Sequence, residues 1–207
     1  MFHWSSVNLM GNNTQMIIII SSPSGAGKTS ICKKILEKDD LIRLSISDTT
    51  RIPRDNEIDG KDYNFISEYD FKQKIDNNEY AEYATVFGNY YGSLHTNVMN
   101  LLNSGFDVLF DIDWQGAKKL KNSQYDNILS FFIMPPSKED IYERLKTRAL
   151  LSGDDKNAIN KRMLSYETEI SHRKEYDHII LNDNIDNCVK KLHDLILYKR
   201  KNLGVSC

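Results

Sequence analysis

Q15-M-I-I-I-I-S-S-P-S-G-A-G-K-T29 is the stretch on which the reading of this chain turns. Met16 to Ser21 carries four consecutive isoleucines and is bounded by Ser-Pro and Gly, so it predicts a strand buried on both faces. From Lys28 the pattern changes: Ile31, Ile35 and Leu36 recur at helical spacing, with Lys33, Lys34, Glu37 and Lys38 on the other side. Between them lies a turn that fits the phosphate-loop formula G-x-x-x-x-G-K-[ST] except at its first position, where Ser22 stands. In such a loop successive backbone N–H groups converge on phosphate oxygens, and the following helix points its positive end at them. The nucleotide-binding set is therefore Ser22, Pro23, Ser24, Gly25, Ala26, Gly27, Lys28 and Thr29. Gly25 and Gly27 permit close backbone approach, Lys28 reaches the last two phosphates, and the Thr29 hydroxyl can ligate magnesium. The first residue only shapes the turn, which Ser22 can do if its φ is negative.

Outward from this unit, apolar strands alternate with amphipathic helices. Strands are expected at Leu41 to Ser47, Phe106 to Asp113, Ile128 to Met134 and His178 to Leu181. Helices are expected at Thr96 to Ser104, from Trp114, from a Ser137 cap paired with Asp140, at Ile159 to His172 and at Ile185 to Lys199. This rhythm predicts an α/β fold of the P-loop NTPase type: three layers, with a mostly parallel sheet covered on both faces. The segment from about 47 to 94 breaks it and reads as an inserted lobe. Within the lobe, Asp48 to Asn64 reads as a working loop, Ser67 as the cap of a short helix through Asn77, and G88-N-Y-Y-G92 as a turn with two aromatics. Residues 1–13 read as a flexible lead-in, and 14–207 as one domain.

Lys+Arg 27 against Asp+Glu 29 gives a formal net charge of -2, without the basic stripe of a nucleic-acid binder. No apolar run approaches membrane-spanning length, and the first residues lack a basic start followed by an apolar core. Cys32, Cys188 and Cys207 show no C-x-x-C spacing, so a reducing, cytoplasmic home is expected. Asp111 and Asp113 end an apolar strand, where hard carboxylate oxygens beside Thr29 suit magnesium or its waters. Arg51 and Arg54 stand in an acidic loop and either clamp an anion between them or pair with Asp48, Asp55 or Glu57.

S45-I-S-D-T-T-R-I-P-R-D-N-E-I-D-G-K-D-Y-N-F65, V86-F-G-N-Y-Y-G-S93 and F110-D-I-D-W-Q-G-A117 resemble, in order, signature segments of guanylate kinases. With the phosphate loop this makes four separated motifs, and the resemblance runs from about Met16 to Ile196. It implies phosphoryl transfer from ATP, with Mg2+, to GMP or dGMP as small-molecule partners. It implies that Arg51, Arg54, Tyr63 and Tyr91 hold the acceptor phosphate, and that Ser47, Glu82 and Ser93 read guanine, with Glu57 lining the same pocket. Asp111, with Asp113 as a second candidate, would support the metal, and Arg144, Arg148 and Arg162 would reach the phosphates on closure of a lid, which the resemblance puts at about 146–161. One carboxylate can accept both the N1–H and 2-amino donors of guanine, which adenine lacks, so Glu82 suits that task.

The lid departs from the family, with Thr147 and Ala149 in K146-T-R-A-L-L-S-G-D-D155 replacing glycines, and Leu94 and His95 stand where small polar residues are expected. His95, the nearest histidine to the motifs, reads as a surface residue at a helix start. A noncatalytic guanylate-kinase-like scaffold module is the rival of a different class, but such modules typically lose parts of the phosphate loop that this chain keeps. A kinase for another nucleotide is the enzymatic rival. A regulatory GTPase would need N-K-x-D, and N160-K-R-M163 lacks the aspartate. The chain is expected as a monomer or homodimer.

Overall fold

The computed structural model describes residues 14–55, 57–152 and 156–204, with the backbone alone at 148, 150–152 and 156. The expected lead-in at 1–13, the lid residues 153–155 and Cys207 lie outside the described residues. In chain order the elements are β1 (Ile17–Ser21), α1 (Lys28–Lys38), β2 (Ile42–Leu44), β3 (Asp48–Thr49), β4 (Asn64–Phe65), α2 (Glu68–Asp76), β5 (Tyr80–Val86) and β6 (Asn89–Leu94). They continue as α3 (His95–Asn103), β7 (Asp107–Asp111), α4 (Trp114–Lys121), β8 (Ile128–Met134), α5 (Lys138–Ser152) and α6 (Lys156–Ser171). A 3-10 turn (His172–Glu175), β9 (His178–Leu181) and α7 (Ile185–Asn202) complete the chain.

The isoleucine run becomes the middle strand of a parallel sheet ordered β2-β7-β1-β8-β9. Because side chains alternate along a strand, Ile18 and Ile20 face one layer while Ile17 and Ile19 face the other. Ile18 and Ile20 pack with Ile31 and Ile35 of α1 and Leu192 and Ile196 of α7. Ile17 and Ile19 pack with Val98 and Leu102 of α3 and Ala117 and Leu120 of α4. All four isoleucines are at most 1% exposed, and full burial of one such side chain stabilises by roughly 1.5–3 kcal/mol. The run therefore needs apolar residues on both faces.

Residues 47–94 form a second sheet, ordered β4-β3-β6-β5, with β3 pairing parallel to β4 and antiparallel to β6. The structure corrects two expectations here. G88-N-Y-Y-G92 is not a turn: Asn89–Leu94 is a strand running antiparallel to β5, with Tyr90 opposite Thr85 and Tyr91 opposite Ala84. The reversal is confined to Phe87 and Gly88, both at positive φ (50° and 86°), a tight hairpin turn that phenylalanine rarely occupies. The loop Asp48 to Asn64 contributes both of its ends to the sheet, as β3 and the start of β4.

Helix starts follow the sequence chemistry. Ser67 Oγ accepts from Asp70 N at 3.0 Å at α2, and Ser137 Oγ accepts from Asp140 N at 3.0 Å at α5. At α4 the cap is Asp113, whose carboxylate accepts from Gln115 N and Gly116 N. Thr147 and Ala149 leave α5 helical through Ser152, with the Thr147 hydroxyl donating to Glu143 O. Among the described residues no helix is long and apolar enough to cross a membrane.

At the end of the sheet where the strands begin, Asp107 ties the fold together. Its Oδ1 accepts from Met16 N at 2.7 Å, and its Oδ2 accepts from Arg200 Nε at 2.7 Å. Arg200, 3% exposed, also donates to Asp39 Oδ2 at 2.6 Å, and His193 Nε2 lies 3.1 Å from the same oxygen.

Candidate active site

The phosphate loop emerges from β1 into the mouth between β1 and β7. Ser22 keeps a negative φ, so the serine makes the turn without strain. Gly27 caps α1 at φ 93°, a left-handed conformation that favours glycine, and a Cβ there would lie 2.8 Å from Asn182 Nδ2. Because β1 and β7 are paired in parallel with Ile20 opposite Asp111, the carboxylate of Asp111 is delivered beside the loop. Asp111 Oδ1 pairs with the Lys28 ammonium, and Asp111 Oδ2 accepts from the Thr29 hydroxyl at 3.0 Å. Burial pulls the Lys28 ammonium down, but the charge of Asp111, its hydrogen bond and smaller contributions from Tyr63 and Cys32 together outweigh it, and the net shift is above the ordinary lysine value.

Asp113, two residues on, does something else. Its Oδ1 accepts from Gln115 N and Gly116 N at 3.1 and 3.0 Å, and its Oδ2 from Gln115 Nε2 at 2.9 Å. The carboxylate expected as a second metal ligand is engaged in capping α4, because the first turn of a helix leaves N–H groups that the nearest acceptor takes.

The helix pair α5 and α6 contacts the loop from the other side. Arg144 Nη1 donates to Ala26 O at 3.3 Å, and Arg162 Nη1 donates to Ser24 Oγ at 2.9 Å. The guanidinium of Arg162 also lies over the Phe87 ring at the tip of the β5–β6 hairpin, 4.7 Å from its centroid. The side chain of Arg148 lies outside the described residues. Two residues that the sequence did not single out also grip the loop. Glu169 Oε2 accepts from Ser24 N at 2.9 Å, and Asn182 Nδ2 donates to Ala26 O at 2.8 Å. Both come from the last quarter of the chain, and no local motif marks them.

The lobe carries the arginine pair. Arg51 Nη2 donates to both oxygens of Glu57, at 2.8 and 2.9 Å, and Arg54 Nη1 to Glu57 Oε1 at 3.3 Å. Glu57 thus makes its contacts with the arginines, where the sequence reading had it lining the guanine pocket. Burial raises its pKa, but the Arg54 N–H and the Arg51 guanidinium reverse the effect and hold it below the ordinary value. Arg51 Nε donates to Tyr91 OH at 3.1 Å, and Tyr63 meets Tyr91 edge to face at 5.9 Å. Burial, and then the nearby charge of Asp111, push the Tyr63 phenol up to about 12, and Lys33 of α1 reaches Asp62 at 3.4 Å, so the lobe sits beside the loop and its helix.

Deeper in the lobe, Ser47, Glu82 and Ser93 come together as a buried set. Ser93 Oγ donates to Glu82 Oε1 at 2.8 Å, and the Ser47 and Ser93 hydroxyls are 3.0 Å apart. Glu82 is 3% exposed, and burial pushes its pKa up to about 7 against the opposing pull of Ser93. Neighbouring Asp48, also buried, accepts from Lys74, Tyr80 and Asn64 and pins β3. His95 is not the simple surface residue expected: its Nδ1 lies 2.5 Å from Tyr125 OH, and burial lowers its pKa. Among the described residues no group of three His, Cys, Asp or Glu could form a metal cage by itself.

A phosphate loop at the mouth of a parallel sheet, with a polar lobe opposite and arginines reaching in, defines a P-loop nucleotide-binding protein. The family model described as guanylate kinase matches residues 14–199. The guanylate kinase of Rickettsia bellii is 49% identical over 93% of this chain and 98% of its own length, and that of Rickettsia prowazekii 46% identical over 91% and 93%. The crystal structure of guanylate kinase from Anaplasma phagocytophilum superposes with a TM-score of 0.73 at 33% identity, covering 90% of this chain and 86% of that one. The chain belongs to the guanylate kinase family.

Proposed function

We propose that this chain is a magnesium-dependent guanylate kinase, transferring the γ-phosphoryl group of ATP to GMP or dGMP and releasing ADP with GDP or dGDP. Family membership and the intact phosphate loop support the activity. The observation that carries the reading is a pair of cationic centres each meeting a carboxylate: Lys28 of the phosphate loop against Asp111, and Arg51 with Arg54 in the lobe, holding Glu57 between them.

In this reading Ser22 to Thr29 cradle the donor, and Arg51, Arg54, Tyr63 and Tyr91 hold the acceptor phosphate in place of the Glu57 carboxylate. A phosphate dianion offers the guanidinium fork the same geometry as a carboxylate, with more charge. Glu82 accepts from guanine N1–H and the 2-amino group, and Ser47 or Ser93 donates to O6. The attacking oxygen belongs to a phosphate monoester whose second pKa is about 6, so it is already deprotonated at neutral pH and requires no general base. Catalysis is then alignment and charge neutralisation of two repelling phosphates, with Lys28, Arg144, Arg148 and Arg162 on the transferring group.

Thr29 and Asp111 fit Mg2+, since both offer hard oxygens 3.0 Å apart beside the loop. Bound there with the nucleotide, the ion supplies neutralisation of phosphate charge. The segment 47–94 acts as the acceptor lobe and about 146–161 as the lid, closing to exclude water as a competing acceptor. The free, buried thiols of Cys32 and Cys188 are in keeping with a cytoplasmic enzyme, working as a monomer or homodimer.

The test is ADP release from ATP and Mg2+ with GMP, dGMP, AMP, CMP and UMP as separate acceptors. Turnover confined to the two guanine nucleotides is expected. Equal ATP consumption without an acceptor, or preference for AMP, overturns the reading.

A further inference from the structure

Gly116 stands in the first turn of α4, a position where alanine forms a better helix. It is buried, and a methyl group at its Cα would lie 2.4 Å from Glu82 Oε2, 3.2 Å from Glu82 Cδ and 3.4 Å from Ile112 Cδ1. The first of these is closer than any real side chain tolerates. The Glu82 carboxylate is thus held on two sides: Ser93 donates to Oε1, and Oε2 lies against the bare Cα of Gly116. α4 is itself fixed against β5, with Gln115 Nε2 donating to Thr85 O at 3.1 Å and Lys119 Nζ to Tyr83 O at 2.6 Å, so the helix cannot simply slide away.

We propose that Gly116 is a positioning residue for base recognition, its missing side chain providing the seat that sets where the Glu82 carboxylate meets the purine. This inference rests on Glu82 reading guanine. A methyl at 116 leaves the helix intact and moves the carboxylate, so it weakens recognition of the base without touching the phosphate contacts.

The test uses the full chain with Gly116→Ala, Glu82→Gln, Glu82→Asp and the Glu82→Asp/Gly116→Ala double variant, with GMP and IMP as acceptors. IMP keeps N1–H and O6 but lacks the 2-amino group. For Gly116→Ala the expected result is a rise of about tenfold or more in the KM for GMP and a smaller preference for GMP over IMP, with the KM for ATP and the melting temperature preserved. The shorter carboxylate of Glu82→Asp makes room for the methyl, so adding Gly116→Ala in that background should cost clearly less than in the wild type. An unchanged KM for GMP in Gly116→Ala while Glu82→Gln is impaired overturns the positioning role alone. Unchanged use of GMP in Glu82→Gln overturns the guanine-reading role, and the inference with it. Equal penalties for Gly116→Ala in both backgrounds also overturn it, as does a loss confined to melting temperature.

Discussion

The guanidinium of Arg51 clasps the Glu57 carboxylate, Nη2 donating to one oxygen at 2.8 Å and to the other at 2.9 Å. With Arg54 on the same carboxylate, the protein supplies its own anion where the acceptor phosphate is proposed to bind. The arginines are thereby held in a binding geometry in advance. Much of the entropy of ordering two long side chains is already lost before substrate arrives.

Arg51→Lys keeps the charge and removes the planar fork that contacts Glu57 and Tyr91. The KM for GMP is expected to rise by about tenfold or more, with the KM for ATP little changed. Steady-state kinetics with each substrate varied in turn checks this. A matching rise for both substrates would place Arg51 outside the acceptor site.

Asp111→Asn removes the charge that faces Lys28 and Thr29 while preserving shape. Turnover should fall by about 10²-fold or more, and the concentration of Mg2+ needed for half-maximal rate should rise. A chelator in excess should abolish wild-type turnover, and added Mg2+ should restore it. A metal-independent rate measured across a Mg2+ titration would remove the ion from the scheme.

Glu82 gives the pH dependence. Its pKa, raised by burial from 4.5 to about 7, leaves the carboxyl protonated below about 7, where it cannot accept from both guanine donors. The KM for GMP is expected to rise as the pH falls from 8 to 6.5, and Glu82→Gln should flatten that limb. The stability effect has the opposite sense. Between 4.5 and about 7 the native state holds a proton that the unfolded chain has released, so this group's contribution to stability declines as pH rises through that window. Glu82→Gln, which cannot ionise, should therefore melt above the wild type at pH 8, with the gap closing toward pH 5. Thermal scans across that range read it directly.

Much of the site is legible in the sequence because its chemistry is local. Ser22 to Thr29 is one contiguous turn, and its outcome depends only on the strand before it and the helix after it. The hairpin of β5 and β6 is not legible, because its turn uses Phe87 at a positive φ, and Tyr90 and Tyr91 earn their strand from partners across the sheet. Glu169 and Asn182 escape for a different reason. They reach the loop from 145 and 156 residues away, and nothing beside them in the chain marks a glutamate or asparagine as a support for a distant backbone amide or carbonyl. Asp113 reads as a ligand in isolation and becomes a cap once the helix after it is formed.

The buried cluster of Arg200, Asp39 and Asp107 lies at the opposite end of the strands from the phosphate loop. Arg200→Met leaves two buried carboxylates without their cation, and a loss of about 3–5 kcal/mol is expected, since breaking one side of a buried pair exposes the other to its full desolvation cost. Urea unfolding measures the loss. The folded fraction should retain its KM for GMP and ATP.

The central placement of β1 has a consequence for the order of assembly during synthesis. Its neighbours are β7 and β8, so Ile17 to Ile20 must wait for residues as late as Phe131 before both edges are paired. At a synthesis rate of about 5–20 residues per second, that leaves a sticky, unpaired segment for several seconds. Nascent chains stalled near residue 100 should therefore be captured by a hydrophobic-segment chaperone at this stretch, and chains extended past α7 should be released.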